Sequence, residues 1–118
     1  MKRRHWSKGV ADNHPNVLEV GYRPHAEIVR MVEAGEIADV VGAAVLADVA
    51  QIVDRADCIM VSPGVTREGA ERLGFRYATT AGDALRMAFE RQGDGATVAV
   101  LRHGGHILPL IAEEVKAA

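Results

Sequence analysis

The segment at residues 57–62, DCIMVS, decides the fold class that we predict for this chain of 118 residues. Four apolar residues in a row follow Asp57 and run into the turn-forming sequence SPG. A short, continuous apolar run of this kind is typical of a strand buried on both faces, as parallel sheets have. We therefore predict a buried β-strand here, with a parallel sheet around it.

The sequence on the C-terminal side of this strand alternates between helical and strand patterns. Residues 66–74, TREGAERLG, predict a short helix, and residues 75–78, FRYA, predict a short strand near the edge of the sheet. Residues 79–93 predict a well-marked helix, because Thr80 and Asp83 have the spacing of a capping box. Its expected buried stripe consists of Leu85, Ala88 and Phe89.

A third buried strand is predicted at residues 96–101, ATVAVL. Alternation of helices and strands favours parallel strands joined by right-handed crossover helices. The predicted fold class is therefore α/β, a small three-layer domain with a short, mainly parallel sheet of about three strands and crossover helices.

The N-terminal part of the chain has weaker patterns. We interpret residues 1–23 as a basic arm or connector with one short strand candidate, VLEV at 17–20, and residues 24–118 as the α/β domain. Pro24 is suited to the start of a helix that ends near Gly35. A second helix is favoured over residues 36–56, since no turn separates the apolar run DVVGAAV from the amphipathic sequence after it.

Composition excludes several function classes. The net charge of −2 provides no overall attraction to nucleic acid or to an anionic membrane, and neither is expected as a partner. No apolar run approaches the ~20 residues of a membrane-spanning helix. The single cysteine, Cys58, rules out an internal disulfide and fits a cytoplasmic setting.

Two loops follow predicted strands and are the candidate ligand sites. Ligands of open parallel sheets bind outside the carboxyl ends of the strands. The first loop, SPGVT, offers Ser62, Gly64 and Thr66, whose hydroxyls and free amides suit a phosphate or carboxylate. The second, RHGGH, offers a set of four residues, which are His103, Gly104, Gly105 and His106. An ordinary structural turn is the alternative for both loops.

A metal site in this chain alone is not predicted. His103 and His106 could bind a metal or transfer protons near neutral pH. A protein metal site normally needs three or four ligands, and the other histidines lie in the N-terminal part of the sequence. No catalytic residue is identified, because no known nucleophile motif occurs.

Residues 24–109, and most clearly residues 57–109, resemble the C-terminal domain of the nickel-dependent lactate racemase family. The similar features are the strand IMVS, a helix ending in LGF, the helix sequence TAGDAL and the run VAVLRHGG, with Pro109 after it. The resemblance implies a two-domain α/β protein in which a nickel-pincer nucleotide lies between the domains and exchanges a hydride with a 2-hydroxy acid.

The resemblance also indicates which functional residues of the family this chain lacks. In that family the nickel-ligand histidine and the cofactor-bearing lysine belong to the N-terminal domain, which nothing here matches. The helix before IMVS lacks the substrate lysine of the family, and the lysines of this chain are Lys2, Lys8 and Lys116. We therefore expect a stand-alone or truncated domain that holds no cofactor alone, is inactive alone and packs on another α/β domain or subunit. The open alternatives are an anion- or nucleotide-binding module and a non-catalytic interaction domain, with homo-oligomerisation also open.

Overall fold

A computed structural model describes residues 13–110 of the chain. Its elements combine helices with a small parallel sheet, which places the domain in the α/β class at a coarse level. In chain order they are α1 (Asn16–Val20), α2 (His25–Glu33), α3 (Val40–Val53), β1 (Ile59–Met60), α4 (Arg67–Arg72), β2 (Arg76–Tyr77), α5 (Ala81–Gln92) and a 3-10 turn (Gly104–His106). Within residues 13–110, no helix has the length and apolar character needed to cross a bilayer.

The core lies among the first three helices. Val17 of α1, Ile28 of α2 and Leu46 of α3 are almost completely buried against one another. Burial of large aliphatic side chains contributes roughly 1.5–3 kcal/mol each, so this cluster is the main source of stability of the helical half. The predicted helix at Pro24 is confirmed, and the helix predicted across residues 36–56 forms over the shorter range Val40–Val53.

The segment predicted as a possible strand, residues 17–20, is helical instead. Pro15 precedes α1 at its N-terminus, and Val17 then points into the core. Tertiary packing therefore overrides the strand preference of the two valines. Part of the sequence that we interpreted as an arm thus belongs to the packed core, while residues 1–12 lie outside the described residues.

Asp39 fixes the start of α3. Its carboxylate accepts the backbone N–H of Gly42 at 3.0 Å and contacts Nδ1 of His14 at 2.7 Å. The pKa of Asp39 is lowered, chiefly because of the Gly42 hydrogen bond, against a desolvation effect that raises it and with help from His14. The same carboxylate therefore caps α3 and ties the beginning of the described chain to it.

The sheet consists of β1 and β2, which pair in parallel with Ile59 opposite Arg76 and Met60 opposite Tyr77. The helix α4 connects them, as the sequence predicts. Ile59 and Met60 are only half-buried, so the prediction of a strand buried on both faces is wrong in that respect. Two strands cover too little surface to bury both faces.

The third strand predicted at residues 96–101 is not formed in this structure. Residues 96–100 have no regular secondary structure, and Val98 and Val100 are 52% and 82% exposed. A strand requires a neighbouring strand for its backbone hydrogen bonds, and this segment has none. The described residues therefore form a two-stranded sheet rather than the predicted three strands in three layers.

Candidate functional site

The loop SPGVT uses both of its hydroxyl groups to fix its own backbone. Ser62 Oγ accepts the N–H of Gly64 at 3.3 Å, and Thr66 Oγ1 accepts the N–H of Gly69 at 3.1 Å. Thr66 is therefore the N-cap of α4, a helix of six residues. These hydrogen bonds occupy backbone N–H groups that we expected to be free to bind an anion.

Neighbouring side chains pack around the same loop. The Tyr77 hydroxyl donates to the carbonyl oxygen of Ser62 at 3.4 Å. The guanidinium carbon of Arg67 lies 5.1 Å from the centre of the Tyr77 ring, within the range of a cation–π contact. Arg67 is thus a nearby positive charge that the sequence prediction did not include, because only the fold brings β2 beside the start of α4.

The loop RHGGH forms a tight, exposed turn. His103 has a left-handed backbone conformation (φ 57°), and the N–H of His106 donates to its carbonyl oxygen at 2.8 Å. Gly104 and Gly105 form the 3-10 turn between them. All four residues are exposed, and within residues 13–110 no hydrogen bond or ion pair joins this loop to SPGVT.

The described residues do not fit a nickel-pincer nucleotide. Across residues 13–110, no three His, Cys, Asp or Glu side chains are grouped so that they could hold a metal ion. The imidazoles of His103 and His106 lie on an exposed turn, and the lysines of the chain lie outside this range.

Asp57 joins β1 to β2 and α5, a link that the sequence did not predict. Its carboxylate is 14% exposed, and it accepts a hydrogen bond from Arg76 at 2.8 Å and forms an ion pair with Arg91 at 3.5 Å. Asp57 precedes β1, Arg76 is in β2 and Arg91 is in the last turn of α5. The acidic residue directly before the apolar run was the signal that could have indicated this link.

The surface around α5 is apolar and exposed. The helix α5 contributes no fully buried residue, and Leu85 is 46% exposed although we expected it in a buried stripe. Residues 96–99 lie beside this helix and line a cavity of about 240 Å³ together with Leu85, Ala88, Phe89 and Gln92. We call α5 together with residues 96–101 the α5 surface.

One edge of the sheet adjoins this surface. The carbonyl oxygens of Cys58 and Met60 accept hydrogen bonds from Arg76 and Ala78, so these residues face β2. Backbone groups alternate in direction along a strand, so those of Ile59 and Val61 face the other edge. In the part of the chain that the structure describes, no backbone hydrogen bond involves Val61 or residues 97–102.

No protein-family model, curated protein or solved structure matches the chain.

Proposed function

We propose that this chain is a non-catalytic domain of a 2-hydroxy acid racemase assembly of the lactate racemase type. Its role is to pack its α5 surface against an α/β domain or subunit that carries the nickel cofactor. The proposal combines the resemblance of residues 57–109 to the C-terminal domain of that family with the exposed apolar surface that follows β2.

The single observation that carries the proposal is the exposure of the α5 surface. Val98, Val100 and Leu101 are 52%, 82% and 56% exposed, and α5 has no fully buried residue. Soluble monomers rarely leave contiguous apolar surface of this kind in water, and such patches mark interaction sites. The surface therefore favours a packing partner over a module that acts alone.

In the assembly, residues 96–101 form the third parallel strand beside the free edge of β1. The support is that the backbone groups of Val61 and those of residues 97–102 form no hydrogen bond within residues 13–110, so each set can pair with the other. Helix α5 already contacts β1, as a crossover helix between β2 and a strand on the far side of β1 must. A strand at this position adds the missing sheet area, and the partner covers the remaining face to complete three layers.

We assign the chemical reaction to the partner because the reaction is a hydride transfer. No ordinary side chain accepts a hydride, so the reaction needs a cofactor. The resemblance implies that the N-terminal domain of the family carries the cofactor, and the proposal therefore assigns the cofactor to the partner domain. His103 and His106 would then lie on an exposed loop that can reach a ligand in the cleft between the two domains.

The test is reconstitution with the cofactor-loaded N-terminal domain of a nickel-dependent lactate racemase. We expect no racemisation of lactate by this chain alone, with or without added nickel cofactor, and racemisation when the two are mixed. The variant Val100→Asp should lose that activity because it places a charge in the interface. Its control, Val41→Asp, changes an exposed valine on α3, outside the α5 surface, and should retain the activity.

Two outcomes would overturn the proposal. One is racemisation by the isolated chain. The other is a mixture without complex formation in sedimentation and without activity, in which case the α5 surface serves another partner.

A further inference from the structure

The helix α3 is apolar on nearly all sides, although only one side packs into the core. Asp48 and Gln51 are the only polar side chains between Val40 and Val53, and Leu46 faces the buried cluster. On the outer side, Ile52 is 56% exposed. A helix with apolar residues around its whole circumference is typical of a helix covered on all sides. The outer side of α3 is therefore a candidate contact surface.

The outer side of α3 has a regular pattern. Five residues recur on it at alternating spacings of four and three, which are Val41, Val45, Asp48, Ile52 and Arg55. Residues with these spacings share one face of a helix. The helical hydrogen bonding continues past Val53, because the N–H of Ala56 donates to the carbonyl oxygen of Ile52 at 3.0 Å. Arg55 therefore lies on the same face as Asp48, two turns further along.

The two charges on this face have no partner within the described chain. Neither Asp48 nor Arg55 forms an ion pair with another residue of the range 13–110. The helix neighbours of Asp48 three and four residues away are Ala44, Val45, Gln51 and Ile52, which are all uncharged. Seven residues of helix separate the backbones of Asp48 and Arg55 by about 10.5 Å. Each charge is therefore available to a group on another molecule.

We infer that α3 packs antiparallel against α3 of a second copy of this chain, with the two-fold axis beside Ile52. In this arrangement Asp48 of each copy faces Arg55 of the other, so one two-fold contact contains two ion pairs. Ile52 lies nearest the axis and packs against the same residue of the second copy. A parallel pairing would place Asp48 against Asp48 and Arg55 against Arg55, and like charges repel. The charges therefore select the antiparallel pair.

The contact is small, which limits its strength. The overlapping part of the helices is residues 47–56, about 15 Å of helix in each copy. An interface of this size belongs to the weak, transient class, and we expect a dissociation constant on the order of 100 μM. The dimer is independent of the proposed function, because it involves neither α5 nor residues 96–101.

Charge exchange between Asp48 and Arg55 tests the inference. Sedimentation equilibrium of the full chain should show a species of twice the chain mass of 12.7 kDa as the concentration approaches about 1 mM. Asp48→Arg or Arg55→Asp alone should raise the dissociation constant at least about tenfold, because each replaces both ion pairs by like charges. An equimolar mixture of these two variants should associate again, and so should the variant that carries both substitutions.

A pair of apolar variants provides the matched control. Ile52→Asp should abolish the dimer, whereas Val41→Asp should retain it, because Val41 is equally exposed at 57% but lies beyond the overlap. Circular dichroism verifies that all variants remain folded. A native chain that stays monomeric at 1 mM would overturn the inference. A dimer that Asp48→Arg leaves unchanged, or single variants that fail to associate when mixed, would overturn the antiparallel pairing of α3.

Discussion

The carbonyl oxygen of Arg72 accepts the backbone N–H of Tyr22 at 2.6 Å. The guanidinium of the same arginine donates to the carbonyl oxygens of Leu18 at 2.9 Å and Glu19 at 3.3 Å. Arg72 therefore joins the end of α4 to the end of α1, and so links the α/β half to the helical half. Gly21 permits this approach, because a Cβ atom there would lie 2.8 Å from the Arg72 carbonyl oxygen.

Removal of this link should lower the stability of the whole domain. In Arg72→Ala, the carbonyl groups at the end of α1 lose two charge-assisted hydrogen bonds, and we expect a loss of about 1–2 kcal/mol in the free energy of unfolding. The measurement is urea denaturation followed by circular dichroism. Arg86→Ala is the control, since it removes only exposed pairs within α5 and should cost less than about 0.5 kcal/mol. Equal effects of the two substitutions would contradict the linking role.

Gly74 should tolerate no side chain. It has φ of +85°, and a Cβ atom there would lie 2.9 Å from Cγ1 of Val53 and 3.2 Å from the ring of Tyr22. Gly74→Ala should therefore destabilise the domain by roughly 1–3 kcal/mol. Gly95→Ala provides the comparison, because nothing lies within 4 Å of its added carbon. Thermal melting curves that agree for the two variants would show that the contact with Val53 is not maintained in solution.

The lowered pKa of Asp39 predicts a specific acid response. Because the folded-state pKa is below the ordinary value of 3.8, the unfolded chain takes up the proton more readily. The stabilising contribution is present above that value and is lost as the pH falls toward the folded pKa. Asp39→Asn keeps a capping side chain but does not titrate, so it should lose less stability than the native chain below about pH 5. If the unfolding free energies of the native chain and of Asp39→Asn depend on pH in the same way, this prediction is refuted.

Inorganic phosphate should not stabilise the domain. The hydroxyls of Ser62 and Thr66 already accept hydrogen bonds from backbone amides. Within residues 13–110, the loop of His103 and His106 forms no hydrogen bond with the loop of Ser62 and Thr66. We therefore expect no change in melting temperature at millimolar phosphate or nucleotide. A rise that disappears in Ser62→Ala or His103→Ala would instead favour the anion-binding alternative.

The elements that the sequence predicted correctly are those marked by residues close to them in the chain. Pro24 before α2, Thr66 before α4 and the reciprocal hydrogen bonds of Thr80 and Asp83 at α5 are each visible within a few residues, and the structure confirms them. The parallel pairing of β1 and β2 was also predictable, because a short helix separates two strand patterns.

Features that depend on distant contacts were not predictable in this way. The helix at Val17 depends on burial against Ile28 and Leu46, which no local pattern reveals. The links of Arg72 to Leu18 and of Asp57 to Arg91 likewise join residues far apart in sequence. Residues 96–101 have the composition of a strand, but composition does not determine whether a neighbouring strand and a covering layer are present.

Amide hydrogen exchange of residues 96–101 tests the central claim most directly. In the isolated chain these amides should exchange rapidly, since no backbone hydrogen bond within the described residues protects positions 97–101. With the cofactor-loaded partner domain present, we predict that alternate amides of this segment become protected, together with that of Val61. Exchange that stays rapid in the presence of the partner would contradict the third strand and the assembly role that depends on it.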